Sequence, residues 1–172
     1  AVSINDAYVD INIKPEIGIR VGKFPPPLSI EQLQATDARE LPETNLATNL
    51  SPNRDIGAQA FGKILDGVVD YAVGVFNGVG DGGNADLDIN NGKEVAARIF
   101  VRPFNKTNID ALKNLGVGVA GSYGKAEGSL TATGLPTYKT PGQQTFFRYV
   151  SDTPATVGGT AIARGTTWRV IP

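Results

Sequence analysis

Polar and apolar residues alternate with a period of two along most of the chain. Between residues 6 and 14 the odd positions are apolar, as at Val9 and Ile11, and the even positions are polar, as at Asp10. Successive side chains of a β-strand point to opposite faces of its sheet. The pattern therefore predicts a strand with one apolar face and one polar face.

The same alternation recurs along the chain. It predicts strands at 6–14, 16–22, 54–64, 69–75, 94–102, 115–124, 143–150 and 164–171, with 143–150 as either a strand of the sheet or a hairpin arm within a loop. Tight turns are predicted at 14–16 and 65–67, a medium connection at 103–114, and long loops at 24–53, 77–92 and 125–142. Four of these eight segments have the about nine to eleven residues that a tilted strand needs to cross a bilayer, and the other four are one to two residues shorter.

Two kinds of antiparallel sheet show such alternation, namely soluble β-sandwiches and transmembrane β-barrels. Short turns that alternate with longer loops are typical of outer-membrane barrels. The apolar face here consists of Val, Ile and Ala, whereas the opposite face carries charges at mid-strand, as at Arg20 and Arg98. Tyr71, Tyr123 and Trp168 fit an aromatic girdle. The sequence predicts an all-β, antiparallel transmembrane barrel, with a soluble sandwich that serves binding or adhesion as the alternative.

Composition narrows the classes of function. The 172 residues include no His and no Cys, and their net charge is −1. These absences remove the usual nucleophilic triads, zinc sites and disulfides, so we expect no enzyme, no metal and no cofactor. The charge balance offers no basic surface for nucleic acid. The chain starts without Met and ends in mid-pattern, which predicts a processed or partial chain.

The predicted loop at 24–53 is long enough to have a function of its own. Ser29 and Gln32 have the spacing of a capping box, which predicts a short helix from Ile30 to about Arg39 that ends before Pro42. Such a loop could fold into a barrel and narrow it, or it could remain outside.

Three segments carry a close resemblance to a known family. They are "DAYVDINIKPEIGIRVGKFPPPLSIEQLQ", "NLSPNRDIGAQAFGKILDGVVDYAVGVFNG" and "LPTYKTPGQQTFFRYV". They resemble the phosphate-selective porin O and P family. The resemblance implies a barrel of roughly sixteen strands in the bacterial outer membrane, usually a homotrimer, that passes anions. This chain would then be about seven or eight strands of a single barrel domain spanning 1–172.

The resemblance also implies a ladder of basic residues in the lumen, because guanidinium groups suit phosphate oxygens. On the predicted lumen face these residues are Arg20, Lys63, Arg98, Arg102, Arg148 and Arg169. Carboxylates on the same face could instead neutralise them. The predicted constriction residues in the loop are Ser29, Glu31, Gln32 and Arg39. Gln32 stands where the family has its central phosphate-binding lysine, and an acidic loop repels multivalent anions.

The predicted function is passive diffusion of small hydrophilic solutes through a water-filled channel that prefers anions, with phosphate or polyphosphate among them. A general or weakly cation-preferring porin is the alternative of the same shape. The predicted partners are inorganic anions or small solutes, outer-membrane lipid including lipopolysaccharide, and further copies of the chain.

Overall fold

The computed structural model describes residues 4–34, 46–84, 92–113, 115–130, 133–140, 142, 144–150 and 159–172. Its strands are β1 (Ala7–Lys14), β2 (Ile17–Phe24), β3 (Asp55–Ile64), β4 (Val69–Phe76), β5 (Glu94–Val101), β6 (Val117–Glu127), β7 (Thr137–Lys139), β8 (Thr145–Arg148) and β9 (Arg164–Ile171). Its helices are short: α1 (Ile30–Leu33), a 3₁₀ helix (Leu46–Leu50) and α2 (Asp110–Lys113).

Seven of these strands form one antiparallel sheet in the order β1-β2-β3-β4-β5-β6-β9. β7 and β8 form a separate hairpin between β6 and β9 in the chain. Within the part of the chain that the structure describes, β1 and β9 do not pair with each other, so the sheet is open at both edges. The predicted all-β, antiparallel class is confirmed.

The strand boundaries follow the alternating pattern closely. The segment predicted at 164–171 is β9, and the segment predicted at 143–150 contains β8, which is a hairpin arm rather than a strand of the sheet. Two predictions at the long loop 125–142 are wrong. β6 continues to Glu127, because its last residues pair with the start of β9. β7 occupies three residues of the same predicted loop, where it is held by pairing with β8.

The two faces of the sheet differ in their exposure. The face that carries the odd-numbered residues of β1 continues across the whole sheet, and its aliphatic side chains are exposed. Ile11 is 54 % exposed, Val73 44 % and Val119 52 %. On the opposite face Gln59 is 8 % exposed and Ala96 1 %. A soluble sandwich would bury its aliphatic face. The observed distribution is the reverse of that expectation.

The covered face owes its burial to the connection after β2. Leu28 of this connection is buried with Phe24, Phe76, Ala96 and Ala120, which belong to four strands of the sheet. The rings of Phe24 and Phe76 meet edge to face with their centroids 5.5 Å apart. The connection therefore folds back over the polar face of the sheet instead of extending away from it.

Connections of different length lie at opposite ends of the sheet. The tight turns at 15–16 and 65–68 and the medium connection at 102–116 share one end, and the long loops at 25–54, 77–93 and 128–163 share the other. Leu65, Asp66 and Gly67 have φ angles of 54°, 54° and 82°, which gives the β3–β4 turn its tight left-handed course. No helix in the described residues is long and apolar enough to span a membrane.

Candidate channel-lining site

The covered face of the sheet is organised in rows, because antiparallel pairing places residues directly opposite one another. One row, here named the Arg98 row, consists of Asn12, Gly18, Phe61, Ala72, Arg98, Ala120 and Ile171. The next row toward the long loops, named the Arg20 row, consists of Asp10, Arg20, Gln59, Gly74, Ala96, Ser122 and Arg169. Three of the predicted lumen arginines thus lie on one face in adjacent rows.

The guanidinium group of Arg20 is held by an ion pair and by contacts with aromatic rings. Its Nε and Nη2 atoms donate to the two carboxylate oxygens of Asp10, both at 2.7 Å. The guanidinium carbon also lies 4.3 Å from the ring centroid of Tyr8, 5.4 Å from that of Phe61 and 5.6 Å from that of Phe24. Bidentate ion pairs and cation–π contacts both favour a single orientation. Arg20 is therefore a structural residue of the wall, and its guanidinium group is not available to bind a solute.

The glycines of β2 make this arrangement possible. A Cβ atom on Gly18 would lie 2.8 Å from the ring of Phe61, and one on Gly22 would lie 2.6 Å from the Cα atom of Tyr8. Gly22 also has a φ of 136°, a conformation that L side chains rarely adopt. Small residues on either side of Arg20 thus let the aromatic rings close over it.

Arg98 has a different environment on the same face. Its guanidinium carbon lies 5.3 Å from the ring centroid of Phe100. Ala72 and Ala120 stand directly opposite it on the two neighbouring strands, and neither side chain has a polar group. Among the residues that the structure describes, Arg98 has no hydrogen bond and no ion pair. Its charge is half-buried, and it interacts with the carboxylate of Asp70 only through space, because Asp70 is bonded to Arg102.

Arg102 and Lys63 lie toward the short-turn end. Nη2 of Arg102 donates to Oδ2 of Asp70 at 2.5 Å and to the carbonyl oxygen of Gly67 at 3.4 Å. Oδ1 of Asp70 is buried and accepts no hydrogen bond from the described residues. Lys63 stands directly opposite Asp70 in the β3–β4 register, and its side chain is exposed. One carboxylate therefore faces two basic residues at this point.

Arg169 joins several elements at the long-loop end. It donates to Oδ1 of Asp81 at 2.6 and 2.9 Å, to Oε1 of Glu94 at 2.5 Å and to Oγ of Ser122 at 3.2 Å. Tyr138, on the hairpin outside the sheet, donates to Oδ2 of Asp81 at 3.1 Å. Burial, and next the charge of Asp81, raise the pKa of the Tyr138 phenol to about 12. Arg169 is neutralised and holds the loops to the sheet.

Two predicted basic contacts lie elsewhere. Arg148 ends β8 and pairs with Thr137 in the hairpin, so its exposed side chain is on neither row of the sheet. Arg39 lies outside the described residues, together with the rest of segment 35–45 of the predicted constriction loop.

The described part of that loop is held by Gln32. Ser29 is the N-cap residue of α1, but its side chain makes no capping hydrogen bond. Gln32 does not reach back to it. Instead, Nε2 of Gln32 donates to the carbonyl oxygen of Thr48 at 3.3 Å, and Oγ of Ser51 donates to Oε1 of Gln32 at 3.3 Å. The predicted capping box is therefore wrong, because the amide of Gln32 is engaged by the far end of the loop.

The length predicted for this helix is wrong as well. α1 ends at Leu33, and Gln34 has an extended backbone with φ −75° and ψ 142°. The residues from 35 to Arg39 that were predicted to continue it lie outside the described residues. Glu31, in the first turn of α1, is half-buried.

Asp55 is a structural residue that the sequence did not single out. It is 1 % exposed, and its carboxylate accepts hydrogen bonds from the backbone N–H groups of Ile56 at 2.7 Å, Gly78 at 2.8 Å and Val79 at 3.1 Å. These bonds tie the start of β3 to the loop after β4. A sequence signal for this role is absent, because the donors are backbone groups that any residue supplies.

An antiparallel sheet with an exposed aliphatic face and a charged face covered by an inserted loop has the construction of a transmembrane β-barrel. The model of the family described as "Phosphate-selective porin O and P" matches residues 1–148, and the chain belongs to that family. The comparison with curated proteins found no match, and neither did the comparison with solved structures. Among the described residues, no group of His, Cys, Asp and Glu side chains could hold a metal ion.

Proposed function

We propose that residues 1–172 are part of a single barrel domain in the bacterial outer membrane, closed by strands beyond the seven of this sheet. The barrel is a homotrimeric, water-filled channel through which small hydrophilic solutes, inorganic anions above all, diffuse passively. Family membership and the arrangement of the two faces support this proposal. It involves no catalysis and no cofactor.

The observation that carries the anion preference is the environment of Arg98. Arg98 is a cation on the covered polar face that stands opposite two alanines and forms no ion pair in the described residues, so it attracts anions from the lumen. Lys63 extends this positive region toward the short-turn end, since the carboxylate of Asp70 is already bonded to Arg102. Solute anions would approach the β3–β5 part of the wall.

The pairing of the other arginines favours a second candidate, a general porin with weak ion preference. Arg20, Arg102 and Arg169 each bond to a carboxylate, which removes most of their attraction for a passing anion. A phosphate held in several steps needs several free donors. We therefore expect phosphate and polyphosphate to pass without strong discrimination from chloride.

We also propose that residues 24–53 form the constriction of the channel. Leu28 anchors this loop over the polar face, and the bonds of Gln32 to Thr48 and Ser51 join its two ends. Gln32 is then a positioning residue, since its amide is occupied within the loop. Ser29, Glu31 and Arg39 remain proposed lining residues of the constriction.

The test replaces Arg98 in the complete porin and measures ion selectivity. Single channels of the wild type and of Arg98→Gln are compared in planar bilayers under a salt gradient, where the sign of the reversal potential reports which ion carries the current. We expect the anion-to-cation permeability ratio to fall by about fivefold, because a solvated charge acts on an ion at contact with about 1 kcal/mol.

Lys113→Gln is the matched control, since it removes one positive charge from α2, outside the sheet. Its permeability ratio should equal that of the wild type. An Arg98→Gln channel with unchanged selectivity would contradict the role of Arg98, and a wild type that prefers cations would contradict the proposed anion preference.

A further inference from the structure

One carboxylate stands among the basic residues of the middle strands. Asp70 of β4 lies directly opposite Lys63 of β3 and Phe100 of β5. Arg98 and Arg102 stand two residues before and after Phe100, and their guanidinium carbons lie 5.3 and 5.7 Å from the centroid of its ring. Three cations therefore surround one carboxylate on the covered face, and these four charged residues are here named the Asp70 cluster.

The two oxygens of the Asp70 carboxylate have different surroundings. Oδ2 accepts a hydrogen bond from Nη2 of Arg102 at 2.5 Å. Oδ1 is buried and accepts no hydrogen bond from the described residues, and Arg98 interacts with the carboxylate through its charge alone. A buried carboxylate oxygen without a donor is costly unless nearby positive charges compensate for the loss of water. This part of the wall therefore stabilises a negative charge, and Asp70 supplies it.

The Asp70 cluster can be reached from the polar side of the sheet. The side chains of Arg102 and Asp70 are 30 % and 28 % exposed, and Lys63 is exposed. A solute anion near the cluster is attracted by three positive charges and repelled by one negative charge. Because the Coulomb energy is proportional to the product of the charges, the repulsion by Asp70 is twice as large for a dianion as for a monovalent anion.

We propose that Asp70 is a specificity-determining residue of the channel, which prevents the wall from holding anions with two charges. Its carboxylate occupies the position in which Lys63, Arg98 and Arg102 would otherwise bind such an ion. The ligand class is a small tetrahedral oxyanion such as phosphate, because its several oxygens can accept from two guanidinium groups and an ammonium group at once. The inference rests on the proposed function, since it requires this face to line an anion-conducting lumen.

The experiment removes the carboxylate and measures how inorganic phosphate blocks the chloride current through single channels of the complete porin. Asp70→Asn keeps the size of the side chain and an oxygen that can accept from Arg102. At about pH 8, where phosphate is mostly a dianion, we expect half-block at a concentration about 25-fold lower than in the wild type. The reason is that removal of one repelling charge at contact gains about fivefold for each charge of the ion. Equal half-blocking concentrations in the two channels would overturn the proposal.

Other anions test whether the discrimination follows charge. Sulfate, which is a tetrahedral dianion, should block Asp70→Asn about as phosphate does. Nitrate, which is an oxyanion with one charge, should gain only about fivefold. An equal gain for nitrate and sulfate would contradict a role of Asp70 in excluding dianions.

Asp66→Asn is the matched control, since it removes one carboxylate from the β3–β4 turn, where Asp66 is 82 % exposed and bonded to Lys106. Its half-blocking phosphate concentration should equal that of the wild type, and a shift like that of Asp70→Asn would show a general effect of charge, which overturns the proposal. Asp70→Asn/Arg98→Gln should return to the wild-type value, because one cation and one anion are then removed together. Block as strong as in Asp70→Asn alone would exclude Arg98 from the site and overturn the proposal.

A reciprocal variant tests the cluster with the carboxylate still present. Arg102→Gln removes the hydrogen-bond donor of Asp70, so its carboxylate becomes available to Arg98. We expect the anion-to-cation permeability ratio to fall by about fivefold in Arg102→Gln and to return close to the wild-type ratio in Asp70→Asn/Arg102→Gln. An Arg102→Gln channel with unchanged selectivity would also overturn the proposal.

The wild-type channel separates this inference from the proposed function. A wild type that conducts anions, together with an Asp70→Asn channel that phosphate blocks no better, would refute only the role of Asp70. A wild type that forms no channel, or one that prefers cations, would refute the proposed function whatever the variants do.

Discussion

Arg20 and Arg98 lie one row apart on the same face of one sheet, yet they have opposite environments. Arg20 is bonded to both oxygens of Asp10 and packed among three aromatic rings. Arg98 contacts the ring of Phe100, and the residues opposite it are alanines. For these two arginines, the residue directly across the strand pair accounts for the difference.

Arg169 extends the comparison to the long-loop end. Like Arg20 it is neutralised, but its partners Asp81 and Glu94 are far from it in sequence. It joins the loop after β4 and, through Asp81, Tyr138 of the hairpin to the sheet. Arg20 and Arg169 are therefore fixed in the wall toward the two edges of the sheet, whereas Arg98 of β5 forms no ion pair within the described residues.

The largest effect on stability is expected at Arg20. Arg20→Gln removes the two hydrogen bonds to Asp10 and the contact with Tyr8, which should lower the free energy of unfolding by about 2 kcal/mol. Arg98→Gln removes no hydrogen bond within the described residues, so its loss should stay below about 0.5 kcal/mol. Urea unfolding of the complete porin in lipid vesicles measures both. Equal losses would abolish the distinction between a fixed and a free arginine.

A second substitution gives Arg98 a carboxylate partner like the one that Arg20 has. Ala72→Asp places a carboxylate directly opposite Arg98, as Asp10 stands opposite Arg20. The new ion pair should lower the anion-to-cation permeability ratio by about fivefold, as much as removal of the charge does. Reversal potentials in a salt gradient measure this ratio. Ala72→Asn is the control of similar size, and it should leave the ratio close to that of the wild type. An Ala72→Asp channel with the selectivity of the wild type would show that Arg98 does not set the preference for anions.

The smallest effect is expected at the hairpin contact beside Arg169. Tyr138→Phe removes one hydrogen bond to Asp81, which should cost about 1 kcal/mol. Because the pKa of Tyr138 is raised from about 10 to about 12, its contribution to stability is complete below pH 10 and is lost as the pH rises through about 12. The ultraviolet absorbance of phenolate, followed against pH, should show a late-titrating tyrosine in the wild type.

That late component should vanish in Tyr138→Phe and persist in Tyr149→Phe. Tyr149 is the matched control because it is close to Tyr138 and its hydroxyl makes no hydrogen bond within the described residues. A titration curve that Tyr138→Phe leaves unchanged would contradict the anchored position of the hairpin.

The sheet could be predicted well from the sequence because the two faces of each strand have different surroundings. Between residues 69 and 75 the large apolar residues Val69, Tyr71 and Val73 fall on one face, so the faces of β4 can be read directly from the sequence. Arg20, Arg98 and Arg169 could be placed on one face for the same reason. β7 has only three residues, and its existence depends on the distant partner β8, so alternation could not reveal it.

The partners that depend on the folding of long loops could not be predicted from the sequence. Asp10 and Arg20 face each other because a tight turn fixes their register. The contact of Arg169 with Asp81, in contrast, depends on how a long loop folds back. Gln32 fits a capping box by spacing, but it bonds to Ser51 once the loop closes on itself. Short-range geometry could thus be predicted, and loop closure could not.

The most direct test of the barrel arrangement measures which face of β4 meets water. Residues 1–172 contain no Cys, so single cysteines can be introduced at Ala72, on the polar face, and at Val73, on the aliphatic face, and compared with the unsubstituted porin. In the complete porin in lipid vesicles, a charged, water-soluble thiol reagent should modify Ala72→Cys rapidly and leave Val73→Cys largely unmodified. Faster labelling of Val73→Cys than of Ala72→Cys would contradict a barrel whose polar face lines the lumen and whose aliphatic face meets lipid.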